Sequence, residues 1–198
     1  MISYSLREAA VLAEVSEKVI RHELARGVAR VQSRRAGSAN RLRLSGDQVF
    51  YYYLLRGFPV TLSPSDRRDL FRLISLGRAS EGRWSARRNR LRLRGGIDLE
   101  INLSNARKSL RRRLDLYQKG LRRVVSRLDT LSGEPVFAGT RIPVGHIGIL
   151  ARKGVPVAEI LTDFPALSES DVGFARLYVE LQPGPGRPRR KLELKRLS

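Results

Sequence analysis

Apolar positions in the first sixty residues fall at helical spacing, in short runs broken by turn formers. Leu6, Ala9, Ala10, Leu12 and Ala13 line one face of a helix that Ser5 is suited to cap. Glu14-Val15 make a tight turn. Ser16 then opens a second helix with Val19, Ile20 and Leu24 on its apolar face and Gly27 at its end. At Arg41-Leu42-Arg43-Leu44 the period drops to two, as in a strand, and the preceding Ala36-Gly37-Ser38-Ala39-Asn40 suits a hairpin tip. Ser45 caps a third helix through Val49, Phe50, Tyr53 and Leu54.

Two short helices joined by a few residues, followed by a basic hairpin and a helix, are spaced as a winged helix-turn-helix over residues 1–58. The polar face of the second helix fits a major groove, which assigns Ser16, Lys18, Arg21, His22 and Arg26 to nucleic acid. Arg30, Arg34, Arg35, Arg41 and Arg43 form the wing and would grip phosphates. A small helical domain with merely solvated charges is the competing reading of the same residues.

Residues 59–128 restart after Phe58-Pro59. Ser63 is an N-cap, Pro64 takes the first helical position, Asp66 suits the positive end of the dipole, and Leu70, Leu73 and Ile74 face inward up to Gly77. Leu91 and Leu93 alternate with arginines, and Ile97, Leu99, Ile101 and Leu103 with Asp98, Glu100 and Asn102. A three-residue loop, Arg94-Gly95-Gly96, would pair Leu93 with Ile97 and Leu91 with Leu99, leaving Arg92 beside Asp98 on the other face. Ser104 caps a long amphipathic helix with Ala106, Leu110, Leu114, Tyr117, Leu121, Val124 and Leu128 inside. Its basic face, Arg107, Lys108, Arg111, Arg112 and Arg113, is either a second DNA-contacting surface or a solvated one. The apolar faces of hairpin and helix also suit a homodimer, matching a palindromic operator.

Residues 129–182 open with Gly133-Glu134-Pro135-Val136-Phe137-Ala138-Gly139-Thr140-Arg141-Ile142-Pro143-Val144, where prolines fix extended geometry and glycines permit tight turns. Three helices follow: through His146, Ile147, Ile149 and Leu150 to Gly154; through Val157, Ile160 and Leu161 to Phe164-Pro165; and from a Ser168/Asp171 cap through Val172, Ala175, Leu177, Tyr178 and Leu181. The Gly-Thr-Arg stretch lacks the Gly-Lys-Ser/Thr ending of a phosphate loop, so a structural role is expected. Residues 183–198 run from a Pro/Gly linker into a basic, leucine-bearing tail. The fold class expected is mainly α with small β-hairpins: an N-terminal winged helix-turn-helix, a central hairpin plus amphipathic helix, and a C-terminal three-helix domain.

Charge separates these segments. Of the formal +20, residues 1–62 carry 10 Lys/Arg against 5 Asp/Glu, residues 63–128 carry 19 against 6, and the tail 6 against 1. Residues 129–182 reverse the sign, with 4 against 7. A basic field this strong points to nucleic acid, and the acidic segment to a different partner. There is no cysteine, and His22 and His146 stand far apart, so no catalytic residue, metal site or cofactor is expected and the protein reads as non-enzymatic. Met1-Ile2-Ser3-Tyr4 is not a signal peptide and no apolar run spans a bilayer, which implies a soluble, cytoplasmic protein without a membrane partner.

Two resemblances sharpen this. Tyr4-Ser5-Leu6-Arg7-Glu8-Ala9-Ala10, Val15-Ser16, Ile20-Arg21, Gly27 and Arg41-Leu42 before Asp47-Gln48-Val49 resemble the DNA-binding domain of MerR-type regulators. His22 and Glu23 depart from the aromatic pair common in that family. Gly133, Pro135, Gly139-Thr140-Arg141-Ile142-Pro143-Val144, Glu159-Ile160-Leu161, Asp163-Phe164-Pro165, Leu167 and Asp171-Val172 resemble the antitoxin domain catalogued as domain of unknown function 433. Val155-Pro156 replaces that family's Ser or Thr cap. The second resemblance implies a VapB-type antitoxin that represses its own operon and neutralises a PIN-like ribonuclease toxin. Such toxins gather carboxylates around a metal, which would draw in the basic tail, with Arg187, Arg189, Arg190, Lys191, Leu192 and Leu194 as toxin-binding residues. A MerR-like transcriptional regulator without a toxin partner is the alternative.

Overall fold

The computed structural model describes residues 2–30, 32–36, 39–58, 61–77, 83–95, 99–126 and 134–181, with the backbone alone for 32–36, 39–41 and 76. Those residues are mainly helical with small antiparallel sheets. The chain begins with β1 (Ser3–Ser5), α1 (Leu6–Ala13), α2 (Glu17–Ala25), β2 (Gln32–Ala36), β3 (Ala39–Ser45) and α3 (Gly46–Arg56). Local capping sets these starts. Ser5 and Glu8 form a reciprocal capping box on α1, Ser45 and Gln48 form another on α3, and Ser16 caps α2 through the Val19 amide. The hairpin is longer and its turn shorter than the alternation over 41–44 predicts, since Ala36 pairs with Ala39. β1 adds a third strand through Tyr4↔Leu44.

Next come α4 (Pro64–Leu76), β4 (Trp84–Arg87), β5 (Arg90–Leu93), β6 (Leu99–Asn102) and α5 (Ser104–Arg122). Ser63 caps α4 and Pro64 opens it. The β5–β6 register corrects the expected loop: Leu93 pairs with Leu99 and Leu91 with Ile101, so the connection runs from Arg94 to Asp98. The predicted partners Ile97 and Asp98 lie outside the described residues. The reason is an unpredicted strand, β4, on the far side of β5. The Arg94 amide donates to the Arg83 carbonyl (2.9 Å) and Arg83 Nε donates to the Arg94 carbonyl (2.7 Å), holding Arg94 straight past the expected turn. A shift of two residues preserves the faces, so Leu91 and Leu93 stay buried and Arg92 pairs outside with Glu100.

α5 also differs at both ends. Leu103, buried in the core, occupies the cap position with no side-chain cap bond, and Ser104 is the first helical residue. The helix ends at Arg122 because Val124–Val125 (β7) pairs with Val136–Phe137 (β8); the predicted inward Leu128 lies outside the described residues. Leu121, predicted inward, is exposed, and Gly120 takes the inner position under the Phe174 ring.

The C-terminal helices are α6 (Val144–Arg152), α7 (Val157–Asp163) and α8 (Glu169–Leu181). Pro156 stands at the α7 cap position without a side-chain bond, whereas Ser168 and Asp171 cap α8 reciprocally. α6 lies so close on α8 that a Cβ at Gly148 would sit 2.3 Å from the Ala175 carbonyl oxygen. α8 in turn packs on α5 and α1, and one contiguous buried cluster runs from Tyr4 to Leu177.

Candidate nucleic-acid interface

The inner face of α2 is held by Ile20, fully buried, and by Glu23, only 2% exposed. Glu23 accepts a hydrogen bond from the Tyr51 hydroxyl of α3 (3.0 Å) and one from Arg67 Nη1 of α4 (2.9 Å). A carboxylate with two donors is a directional anchor, so α2 is fixed in rotation against both helices. Burial, then the Glu23 charge, pushes the Tyr51 hydroxyl far above its ordinary pKa, keeping it a neutral donor.

That anchor leaves Lys18, Arg21 and His22 exposed on the opposite face, while Arg26, also exposed, follows the end of α2 on the Glu23 side and lines a small cavity with Glu23 and Arg67. Arg21 makes an exposed ion pair with Glu17 (3.3 Å), which yields readily to a phosphate. Val19, expected in the core, is instead 38% exposed among these cations. The Ser16 hydroxyl accepts from the Val19 amide at the helix start (3.4 Å).

Of the hairpin arginines, Arg30 is exposed while its carbonyl accepts from Gln48 Nε2 (3.0 Å). Arg34 and Arg41 are register partners across the ladder, with Arg35 opposite Asn40. Arg43 is different: it turns toward Glu8 (3.5 Å). Glu8 also accepts from the Ser5 amide (2.6 Å) and from the Tyr117 hydroxyl of α5 (2.5 Å). Burial alone would raise the Glu8 carboxyl, but these donors and Arg43 outweigh it and hold it below the usual carboxylate range.

The α1–α2 turn is also tied to the distant part of the chain. Glu14 sits in the left-handed region (φ 55°) and pairs with Arg56 and with Arg113 Nη1 (3.0 Å). Arg113 Nη2 donates to the Val11 carbonyl (3.1 Å) and lies 3.7 Å from Glu180 of α8. Burial, together with Arg56 and Arg176, lowers the Arg113 pKa against the opposing pull of Glu180. Beside this joint is a cavity of about 670 Å³ lined by residues including Val11, Tyr53, Arg112, Leu116 and Arg176.

Farther along, the Gly139-Thr140 corner is a tight turn. Gly139 has φ 78°, the Thr140 hydroxyl donates to the Phe137 carbonyl (2.9 Å), and it accepts from the Ile142 amide (3.1 Å). Arg141 is exposed. His146, expected to pack, is exposed with its ring edge-on to Phe164. Asp171 is buried and lies 3.1 Å from Arg123, fixing α8 against the end of α5.

This is the stretch that other proteins share. Residues 124–179 match the family described as Protein of unknown function (DUF433). The match starts at β7, ahead of the boundary at 129 drawn from the sequence. The chain is also similar to the uncharacterized protein y4eO of Sinorhizobium fredii (strain NBRC 101917 / NGR234), with 33% identity over 91 residues, 46% of this chain. The aligned part is 41% of that protein, so the chain spans about two-fifths of its relative's length. No solved structure matches.

Arg187, Arg189, Arg190, Lys191, Leu192 and Leu194 lie outside the described residues. Among the described residues no three His, Asp or Glu side chains converge as metal ligands, and no helix is long and apolar enough to cross a membrane. Sequence reasoning missed Glu23, Arg67, Arg113 and Tyr117. For Glu23 a signal existed: it stands three residues after buried Ile20, on the inner face, where a lone carboxylate requires donors.

Proposed function

We propose that the protein is a DNA-binding antitoxin of a VapBC-like type II toxin–antitoxin module. It represses its own operon through an N-terminal winged helix-turn-helix and neutralises a PIN-like ribonuclease by direct binding. The observation that carries the DNA half is the pose of α2. Glu23 fixes the inner face, Lys18, Arg21 and His22 stand together on the outer one, and exposed Arg26 flanks them at the helix end. Val19 among them supplies an apolar contact suited to a thymine methyl group. Arg30, Arg34, Arg35 and Arg41 serve as phosphate contacts, and Ser16 as the residue that starts the reading helix. Arg43 contributes by positioning, through Glu8. The chain needs no chemistry of its own for either task.

The toxin half is supported by the match over residues 124–179, by the resemblance of that segment to antitoxin domains, and by the basic tail. We assign toxin contact to Arg187, Arg189, Arg190, Lys191, Leu192 and Leu194.

Two measurements test the reading. Fluorescence anisotropy with duplex DNA from immediately upstream of the reading frame should give an affinity that falls steeply with salt, since each neutralised phosphate releases about 0.9 counterion. It should weaken at least tenfold in Lys18→Ala/Arg21→Ala. A flat salt profile removes DNA as the partner. Co-expression with the neighbouring PIN-like ribonuclease should yield a complex with suppressed RNase activity, and deletion of residues 186–198 should abolish growth rescue. If no complex forms while DNA binding persists, a MerR-like regulator without a toxin partner replaces the antitoxin.

A further inference from the structure

The β4–β5 hairpin carries charge that the fold itself does not use. Its two-residue turn is Arg88-Asn89, and Arg88 adopts φ 53°, a left-handed conformation that hairpin turns usually give to Gly or Asn. Flanking it, Arg87 and Arg90 are register partners, so two like charges stand directly opposite each other. Arg90 shares Glu100 with Arg92 (3.0 and 2.8 Å). Arg87 and Arg88 are exposed and have no acidic partner among the described residues. The tip thus holds a conformational cost at Arg88 and two unpaired cations, Arg87 and Arg88, while the Arg90 charge is met by Glu100.

The tip is nevertheless held firmly. Trp84 and Leu91 are buried at the hairpin's inner face, with Trp84 edge-on to Phe58, and the Asn89 carbonyl accepts from the Leu103 amide (2.7 Å). That last bond ties the turn to the start of α5, whose first turns expose Arg107 and Lys108. A braced, strained tip with two unpaired arginines is an arrangement for a polyanion.

We propose that the β4–β5 tip is a second phosphate-backbone clamp, gripping duplex DNA outside the base pairs that α2 covers. Arg87 and Arg88 contact the phosphates; Arg107 on α5 is engaged instead, its guanidinium over the Phe50 ring (4.9 Å). The clamp rests on the DNA-binding reading, but it adds a site that reads no bases. Its contribution is the same on any duplex and is electrostatic.

The test compares wild type, Arg87→Ala/Arg88→Ala and Arg88→Gly on the upstream duplex and on an unrelated duplex of equal length. Loss of two phosphate contacts should lower the slope of log affinity against log salt by about 1.8 per protomer. It should weaken both duplexes about equally, by tenfold or more at low salt. Arg88→Gly should lose part of that affinity while its melting midpoint rises, because the left-handed turn is then unstrained. Wild-type binding with an unchanged slope in the double variant overturns the clamp and leaves the α2 reading standing. No binding by wild type overturns both. A larger loss on the upstream duplex than on the unrelated one overturns the backbone role in favour of base reading.

Discussion

Removing the Glu23 carboxylate should loosen α2 against α3 and α4. Glu23 is 2% exposed and Tyr51 fully buried, so Glu23→Ala strands a buried hydroxyl, a loss of about 1–3 kcal/mol. Arg67, whose side chain is 29% exposed, can recover some water contact, so its lost bond at 2.9 Å contributes toward the low end of about 1.5–3 kcal/mol. The sum is a destabilisation of about 2.5–4.5 kcal/mol, overlapping the range of about 3–5 kcal/mol for breaking a buried pair by deleting one partner. Glu23→Gln should cost about 1–2 kcal/mol, because its amide oxygen still accepts from Arg67 and its amide nitrogen can donate to Tyr51. Urea unfolding with an unchanged m value reads both numbers. A double cycle with Arg67→Met isolates their coupling. The argument fails if Glu23→Ala costs less than about 1 kcal/mol, or if Ala and Gln cost the same, since the acceptor would then have no role.

Gly148→Ala should destabilise by about 2–3 kcal/mol in the same assay, because the new methyl meets the Ala175 backbone, which cannot rotate away. Gly120→Ala meets the Phe174 ring instead and should shift the α5–α8 packing, visible as altered near-UV circular dichroism. The Glu8 carboxyl is held below its ordinary 4.5, so its stabilising contribution is present above that pH and lost as pH falls through the lowered folded value. Glu8→Gln should therefore flatten the acid limb of the stability–pH curve, and an unchanged limb would count against the Tyr117–Glu8–Arg43 cluster. Ser45→Ala should cost about 1 kcal/mol by thermal melt, as it removes the acceptor for the Gln48 amide.

Features that depend on neighbours in sequence were legible. Ser5, Ser16, Ser45, Ser63 and Ser168 all cap at the start of the apolar helical runs they were read to open. Ser104 did not, because Leu103 is drawn into the core and shifts the helix start by one. β4 was invisible because its alternation is weak: of Trp84, Ser85, Ala86 and Arg87 only Trp84 is buried. Once β4 exists, it fixes the course of Arg94 and so the register of the next strand. The long-range polar contacts could not be read at all. Nothing local in Arg113 distinguishes it from Arg111 or Arg112, and only the fold turns it toward Glu14 and Glu180.

That arginine has a consequence for taking the protein apart. The turn between the first two helices is braced by a side chain about a hundred positions later, and Tyr117 bonds Glu8 from the same helix. An isolated fragment of residues 1–58 would leave Glu8 and Glu14 without those partners and the Val11 carbonyl without Arg113. The N-terminal segment is therefore not a cassette. Grafted onto another chain it would need α5 carried with it, and an exchange of C-terminal halves between relatives would have to preserve this joint before any question of partner choice could be asked.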